Sequence, residues 1–477
     1  MINIIVDFYK RCKYFFYINL FINVLLVNFL TYKITHKINY TLIKWLHYTI
    51  NLNGSILIKI VQWLNTNLEL LDIENGEILY NIFSSFYENC NIHNLNYTKK
   101  LFFNEFNIDF DNIIELDNSF QIKSGSIAQV YKANLAIGVV DGQTSNEVVA
   151  LKVVHPDINY QFIFPIMYIK LYKFLVKNIS CLNCYDTIFI FDSFFNNLNN
   201  QSNMQIEFNN MKYFYDSYKD NDHILIPKPL RATKNILIME FIDGEKLDLI
   251  NTSVYEKQKM VLLLNLFLKD NYYFKDFYHS DLHESNWKVI KFDNFYKIII
   301  YDYGYISSNK FKESFKQLIY YNDMLDINST LDLLYNNCKY IKITKKEFIL
   351  KFEQYLEKKQ IEFKEPFCDD IIITVYNFLF INKIYIESYM LELFISMILF
   401  KKNIIKFITI KKIGVSNANT LISSYINSIY ICNKYKIFPE LKNYYQIKYI
   451  ENPEIKKFYD FENTYFEELK MDNSLDI

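Results

Sequence analysis

His279-Ser-Asp281-Leu-His-Glu-Ser-Asn286, followed after an apolar stretch by Asp302-Tyr-Gly304, is the stretch whose reading decides the fold. Phosphoryl transfer needs an acid that orients or deprotonates the attacking group, and an amide oxygen and a second carboxylate that hold Mg²⁺ on the phosphates. It also needs a turn that lets that carboxylate point inward. Asp281, Asn286, Asp302 and Gly304 supply these groups in that order. The Asp-to-Asn separation is that of a kinase catalytic loop, and the interval filled by FYKIIIYDYG has room for one hairpin. An Asp-x-Gly triplet is common by chance, so its weight comes from the H-x-D-x-x-x-x-N string before it. The competing reading is a polar loop between helices.

Upstream, Val149-Ala-Leu-Lys152 places a lysine on a strand, where it could reach the α- and β-phosphates if a helix carboxylate held it. The string is common, and a hairpin with a solvated lysine is its bland alternative. Its position strengthens it, after the small-residue turn Ser124-Gly125-Ser126 and before an amphipathic helix containing Glu207. Backbone N–H groups of such a turn can approach phosphate oxygens. The apolar strand Ile236-Leu-Ile-Met239-Glu240-Phe-Ile242-Asp-Gly244 suits a link between lobes, its backbone reading the adenine edge with Met239 at the back of the pocket. The expected nucleotide contacts are therefore Ser124, Gly125, Ser126, Lys152, Met239, Glu240 and Ile242.

Strand character begins near Phe120, where IAQVYKANLAIGVV and EVVALKVV are β-branched runs separated by Asp141-Gly142, a hairpin signal. A helix is expected from Pro165, placed at a first helical position, through Val176, and another over about Ser202 to Tyr218. From Ile34 to Phe106 the apolar spacing is helical, and after Gly244 nearly everything to about Tyr449 is helix-patterned except Tyr278 to Ile306. The order is that of an α+β, bilobal protein-kinase-like fold with a small β-rich N-lobe, a helical C-lobe and an N-terminal helical extension. The expected division is 1–33 as a targeting or transmembrane segment, 34–115 as the extension, 116–245 as the N-lobe, 246–450 as the C-lobe and 451–477 as an acidic tail.

The 477 residues are half apolar, and with only eight glycines a Gly in a motif is informative. A net charge of −1 speaks against nucleic acid as a partner. Charge is uneven, however. From Met1 to Leu68, Lys10, Arg11, Lys13, Lys33, Lys37, Lys44 and Lys59 face Asp7 alone, and Tyr14 to Tyr32 carries no charge over a length that could cross a bilayer. A membrane anchor and a removable organelle-targeting segment are both open, with a buried soluble helix third. Seven irregularly spaced cysteines argue for a reducing compartment. Cys181-Leu-Asn-Cys184 has the spacing of half a zinc site but lacks a second pair, so it reads as a loop.

SGSIAQVYKANL (124–135), VALKVVHP (149–156), EFNN (207–210), the strand ending in MEFIDG, HSDLHESN and YDYG together resemble the ordered motifs of the UbiB (aarF-domain) family of atypical kinases, from about residue 50 to 310. Lys59-Ile-Val-Gln62 resembles that family's K-x-G-Q signature, and its continuation resembles the second human aarF-domain kinase subgroup. The resemblance implies a Mg²⁺-ATP-dependent atypical kinase or ATPase that supports coenzyme Q synthesis or related lipid metabolism. It implies mitochondria, or alternatively a plastid-like organelle, membrane association, and as partners nucleotide, a membrane lipid or quinone precursor, and a lipid-biosynthesis complex. In it, Lys152 and Glu207 pair at the phosphates, Asp281 orients the attacking group, Asn286 and Asp302 bind metal, and Lys59 and Gln62 lie on a helix over the active site.

This chain departs from the family pattern at several places. Val61 replaces the signature glycine, Lys123-Ser-Gly-Ser stands for an alanine-rich loop, and Gln201-Ser-Asn203 replaces an acidic pair. Leu282, Glu284 and Ser285 replace two prolines and a glycine in the catalytic loop. These changes motivate the alternative of a nucleotide-binding pseudokinase scaffold without turnover. Ser280 stands where ordinary kinases carry the Arg that docks a phosphorylated activation loop, and no A-P-E follows Gly304, which disfavours a conventional Ser/Thr kinase.

Overall fold

A computed structural model describes residues 2–70, 79, 82–87, 90–136, 147–178, 198, 200–293, 295–323, 326–339, 343–359, 371–382, 384–408, 432 and 436–450. Two compact units emerge. The first comprises residues 1–217, 226–243 and 301–305, the second 218–225, 244–300 and 306–477.

The first unit carries helices α1 (Ile2–Thr35), α2 (Tyr40–Asn53), α3 (Ser55–Leu70), α4 (Leu95–Phe106), α5 (Ile158–Asn178) and α6 (Met204–Tyr218). Asn39 starts α2 by accepting hydrogen bonds from the Thr41 and Leu42 N–H groups. Gly54 ends it at φ +82°, and a β-carbon there would lie 2.8 Å from Gln161 Oε1 on α5. Glycine is thus required for the backbone conformation, and a side chain there would also displace the Gln161 amide. Helix α1 is long and apolar enough over Ile4–Thr35 to cross a membrane, by length and composition. Its inner side is held to α5 by polar contacts, with Lys10 Nζ 2.6 Å from Asp157 Oδ1, Tyr160 OH donating to Asp7 at 2.7 Å and Tyr168 OH donating to Asn19 at 2.8 Å.

Strands β1 (Ile114–Leu116), β2 (Lys123–Ser124), β3 (Ala128–Leu135), β4 (Glu147–Val154), β5 (Pro229–Ala232) and β6 (Ile236–Glu240) form one antiparallel sheet in the order β1-β3-β4-β6-β5, with β2 sharing the β1 edge of β3. Alternation along β4 sends Val149, Leu151 and Val153 to a core with Phe102 and Phe106 of α4, Tyr131, Leu135, Ile236 and Ile238. Lys152 therefore faces the other way. Residues directly opposite one another in an antiparallel pair share a face, so Val130 and Leu237, the partners of Lys152, and Met239, the partner of Ala150, lie on its side of the sheet.

The second unit opens with α7 (Val254–Phe274), whose start is capped by Ser253 Oγ accepting from the Glu256 N–H. Strand β7 (Phe277–His279) pairs with β10 (Ile306–Ser308), and between them β8 (Trp287–Phe292) and β9 (Phe295–Ile300) form the expected hairpin. Helices α8 (Lys312–Asp323), α9 (Ile327–Asn336), α10 (Lys345–Lys359), α11 (Ile371–Ile381), α12 (Ser388–Ile408) and α13 (Pro439–Ile450) follow. Helices first, then an antiparallel sheet, then helices again give the mixed, kinase-like architecture expected from the sequence.

Two local expectations are corrected. Strands start at Ile114, not near Phe120, because a three-residue strand is too short to show periodicity. Pro165 lies inside α5, not at its first position. The helix begins at Ile158 because its first turn is fastened to α1 through Asp157, Tyr160 and Gln161, and this packing outweighs the single backbone hydrogen bond that proline forfeits. The Asp141-Gly142 turn, Cys181-Leu-Asn-Cys184 and the acidic tail fall outside the described residues, although β3 and β4 pair with Leu135 opposite Glu147.

Replacing Gly54 with alanine should destabilise the protein by ~1–3 kcal/mol through strained backbone and the clash with Gln161. Adding Gln161→Ala should return part of that loss, since the clash is relieved and the positive φ remains. Denaturant unfolding of the two variants measures both effects, and an unshifted Gly54→Ala midpoint would show that the turn accepts a side chain.

Candidate functional site

The first unit assembles a three-membered charge cluster. Lys152 Nζ stands 2.7 Å from Glu207 Oε1 and 3.3 Å from Asp302 Oδ2. The sheet aims Lys152, as the register of β4 requires. Glu207 arrives from α6, whose buried stripe Met204, Glu207, Met211, Phe214 and Tyr218 recurs at helical spacing and so puts the carboxylate on the packed side. Asn210, one turn along, donates to the Tyr303 carbonyl at 3.0 Å, and the Phe214 and Tyr303 rings lie 5.2 Å apart. These contacts fix the Tyr301–Tyr305 segment and with it Asp302. The Gly304 N–H then donates to Asp302 Oδ1 at 2.8 Å, and a β-carbon at Gly304 would sit only 3.1 Å from that oxygen.

Burial alone would push the Lys152 ammonium toward losing its proton, but Asp302 and Glu207 outweigh it and hold its pKa above the ordinary lysine value. Glu207 is 1% exposed, and burial, helped by the nearby negative Asp302, raises its pKa to about 7 against the opposing pull of Lys152. Two acids thus flank one ammonium, and the buried one, Glu207, keeps its proton up to about pH 7.

Glu240 ends β6, its N–H donating to the Lys228 carbonyl while its carboxylate accepts the Lys228 N–H at 3.0 Å. The Ile242 carbonyl accepts from Tyr301 OH at 3.0 Å, and Met239 is buried. At the small-residue turn, the Gly125 N–H donates to the Ala128 carbonyl, Ser124 and Ser126 are buried, and His155 Nε2 stands 2.9 Å from the Gly125 carbonyl. Gln62 donates to the Phe86 carbonyl at 2.7 Å, tying α3 to the 84–87 turn, and Lys59 is half-buried one helical turn before it.

In the second unit, the loop after β7 is a compact hydrogen-bonded turn. The Asp281 N–H approaches His279 Nδ1, the His283 N–H donates to the Asp281 carbonyl, and the Asn286 N–H donates to the His283 carbonyl. Asn286 Nδ2 donates to the Asp281 carbonyl at 2.7 Å, which orients the amide so that Oδ1 is turned away from that bond. Ser280 Oγ is buried and donates to Ser307.

Lys152, Glu207 and Asp302 are therefore brought together within one unit, and Asp281 and Asn286 within the other. Asp302 and Asn286 are oxygen donors of the kind a hard cation takes. Among the described residues no group of three or more His, Cys, Asp or Glu could hold a metal. Magnesium usually keeps water and phosphate oxygens among its ligands, so one or two side-chain donors can suffice for it. Sequence reasoning gave no role to Asn210 or His155, although both fall within quoted motifs, nor to His93; with seven histidines in the chain, their scarcity was the available signal.

A lysine fixed by a helix carboxylate and by the acid of an Asp-x-Gly turn, with an H-x-D-x-x-x-x-N loop between them in sequence, defines a kinase-like protein. Residues 85–330, more than half of the chain, match the ABC1 atypical kinase-like domain, and the chain belongs to that family, ABC1 or UbiB. The mitochondrial ABC1 family protein YPL109C of Saccharomyces cerevisiae is 24% identical over 263 residues, covering 51% of this chain but only 39% of the yeast protein. Among solved structures, the Rv3197–erythromycin complex of Mycobacterium tuberculosis is 17% identical with a TM-score of 0.40, covering 57% of this chain and 68% of that one. The Rio2 kinase–ADP/Mg²⁺–phosphoaspartate complex of Chaetomium thermophilum is 10% identical with a TM-score of 0.27, covering 61% and 72%.

The raised pKa of Glu207 makes a signed prediction. A carboxylate held protonated in the fold contributes stability that is full below its unfolded pKa and is lost as pH rises through about 7. The stability advantage of the wild type over Glu207→Gln should therefore shrink between about pH 4.5 and 7 and level off above. Urea unfolding of both proteins across that range is the check, and a difference that does not change with pH would refute it.

Proposed function

We propose that this chain is a Mg²⁺-ATP-dependent atypical kinase or ATPase that acts on a small molecule or lipid precursor and supports coenzyme Q synthesis or related mitochondrial lipid metabolism. The observation that carries the reading is the Lys152–Glu207–Asp302 cluster, in which an ammonium is held charged and fixed between two acids. Lys152 would bind the α- and β-phosphates and Glu207 would hold it in place. The Ser124-Gly125-Ser126 turn would approach the phosphates, while Met239, Glu240 and Ile242 would border the adenine. The spacing of the motifs supports assigning Asp281 to the same reaction, as the group that orients the attacking hydroxyl or water, and Asn286 and Asp302 to the metal. Bound there, Mg²⁺ would offset the charge of the phosphates.

Membership in the family supports the use of ATP, and the mitochondrial location of the yeast relative supports mitochondria. Membrane association draws support from the outer side of α1 and α2, where Ile4, Phe8, Phe16, Phe29, Trp45 and Tyr48 are all more than half exposed beside the basic residues of the N-terminal stretch. The Gln62-Trp-Leu-Asn-Thr66 string supports placement near the second human aarF-domain kinase subgroup. We keep 1–33 as an anchor or targeting segment, 34–115 as the extension, 116–245 and 246–450 as the two lobes and 451–477 as the tail.

Asp302→Asn should lower Mg²⁺-dependent ATP hydrolysis by ~100-fold or more, because a carboxylate that would hold Mg²⁺ on the phosphates is lost. Wild-type turnover in the purified variant would overturn the assignment. Single-turnover assays with labelled ATP, with and without lipid, separate the readings, since nucleotide recovered intact from the wild type would favour the scaffold suggested by Leu282, Glu284 and Ser285.

A further inference from the structure

A buried polar chain in the first unit ends on the turn that carries Gly125. His155 Nε2 lies 2.9 Å from the Gly125 carbonyl, and His155 Nδ1 lies 2.9 Å from His93 Nδ1. His93 Nε2 lies 2.9 Å from Thr98 Oγ1, and Thr98 Oγ1 lies 2.9 Å from Tyr131 OH. Gln129 Nε2 donates to Tyr131 OH. Thr98 and Gln129 are fully buried, and Tyr131 and His155 nearly so.

The chemistry of the groups gives this chain one direction. A carbonyl can only accept, so His155 Nε2 carries the proton of the bond to Gly125. Two imidazole nitrogens 2.9 Å apart share a hydrogen bond only if one of them offers a lone pair. Burial keeps both rings neutral, lowering His155 below its ordinary value and His93, which also faces His155, to about 3. His155 Nδ1 is then the acceptor and His93 Nδ1 the donor. His93 Nε2 in turn accepts from Thr98, Thr98 accepts from Tyr131, and Tyr131 accepts from Gln129. Gln129 closes the arrangement, since its Oε1 accepts the His93 backbone N–H at 2.8 Å and its Nε2 also donates to the His93 carbonyl at 3.2 Å. Ser124 Oγ adds a second tie by donating to the Asn91 carbonyl at 3.0 Å.

We propose that His155 and His93 are positioning residues for the phosphate-binding turn, a one-directional relay of hydrogen bonds from Gln129 to the Gly125 carbonyl that sets the turn against the segment preceding α4. This rests on the reading of Ser124-Gly125-Ser126 as the nucleotide turn. The relay fixes which way the Gly125 peptide faces. Its carbonyl is occupied on the His155 side, so the Ser126 N–H of the same peptide faces the opposite way, where it could meet an anion, while the Gly125 N–H is already bonded to the Ala128 carbonyl. Neither histidine touches the nucleotide in this scheme.

The experiment combines a measurement on the wild type with two variants of the full chain. Histidine ¹⁵N NMR at pH 7 should find His155 neutral with its proton on Nε2 and His93 neutral with its proton on Nδ1. His155→Phe keeps the ring volume without the donor, and should speed amide exchange over residues 124–127 and raise KM for ATP by about tenfold with kcat little changed. His155→Gln places an amide N–H where Nε2 was and should restore both. The opposite tautomers, an imidazolium on either ring, or unchanged exchange in a folded His155→Phe would overturn the proposal. Should the protein bind no ATP, the nucleotide reading alone fails, because the tautomers and the exchange still decide whether the relay holds the turn.

Discussion

An ammonium fixed between two carboxylates from distant stretches of chain is the constraint on which the first unit depends. Lys152 lies 55 residues from Glu207 and 150 from Asp302 in sequence, yet all three meet within 3.3 Å. Burying a lysine is unfavourable unless its charge is matched, and removing one partner of such a pair costs about 3–5 kcal/mol because the other charge is stranded. The requirement propagates outward. It demands a central strand whose alternation aims Lys152 away from the aromatic core. It also demands a helix that buries a glutamate on its apolar stripe, and a glycine at 304 that leaves room for the Asp302 carboxylate.

The geometry also explains why the cluster is not simply a salt bridge. Glu207 sits at 2.7 Å and Asp302 at 3.3 Å, and Asp302 is 40% exposed where Glu207 is 1%. The buried acid fixes the lysine while the exposed one remains open to solvent on its outer side. The same ammonium thus joins a structural carboxylate to one that can take part in chemistry, and the turn N–H of Gly304 keeps the second one aimed.

Much of this was legible in the sequence, for a physical reason. The catalytic loop and the Asp-x-Gly turn need particular side-chain types a few residues apart, so they leave strings that can be read. Lys152 could be placed on a strand and Glu207 on an amphipathic helix because both periodicities were visible, whereas their pairing was implied by the family resemblance alone. What could not be read depends on contacts between residues remote in sequence. The start of α5 ahead of Pro165 is set by α1, and the close approach of the Gln161 side chain, on another helix, to Gly54 adds to the demand of its positive φ. The pairing of His93 with His155 joins positions 62 residues apart, with no local pattern to announce it.

The loop of the second unit departs from the family pattern and is held together by other means. Proline stiffens a backbone by fixing φ, and glycine permits tight turns. Here Leu282 is instead driven into the interior, 2% exposed, and the turn is closed by hydrogen bonds from His283 and Asn286 to the Asp281 carbonyl. Ser280, in place of a charged arginine, is buried against Ser307, which in turn donates to Glu392. An arginine there would bury a charge where the chain now holds a short hydroxyl relay. Hydrophobic anchoring and side-chain hydrogen bonds therefore hold the backbone of this loop where prolines and a glycine would restrict it directly.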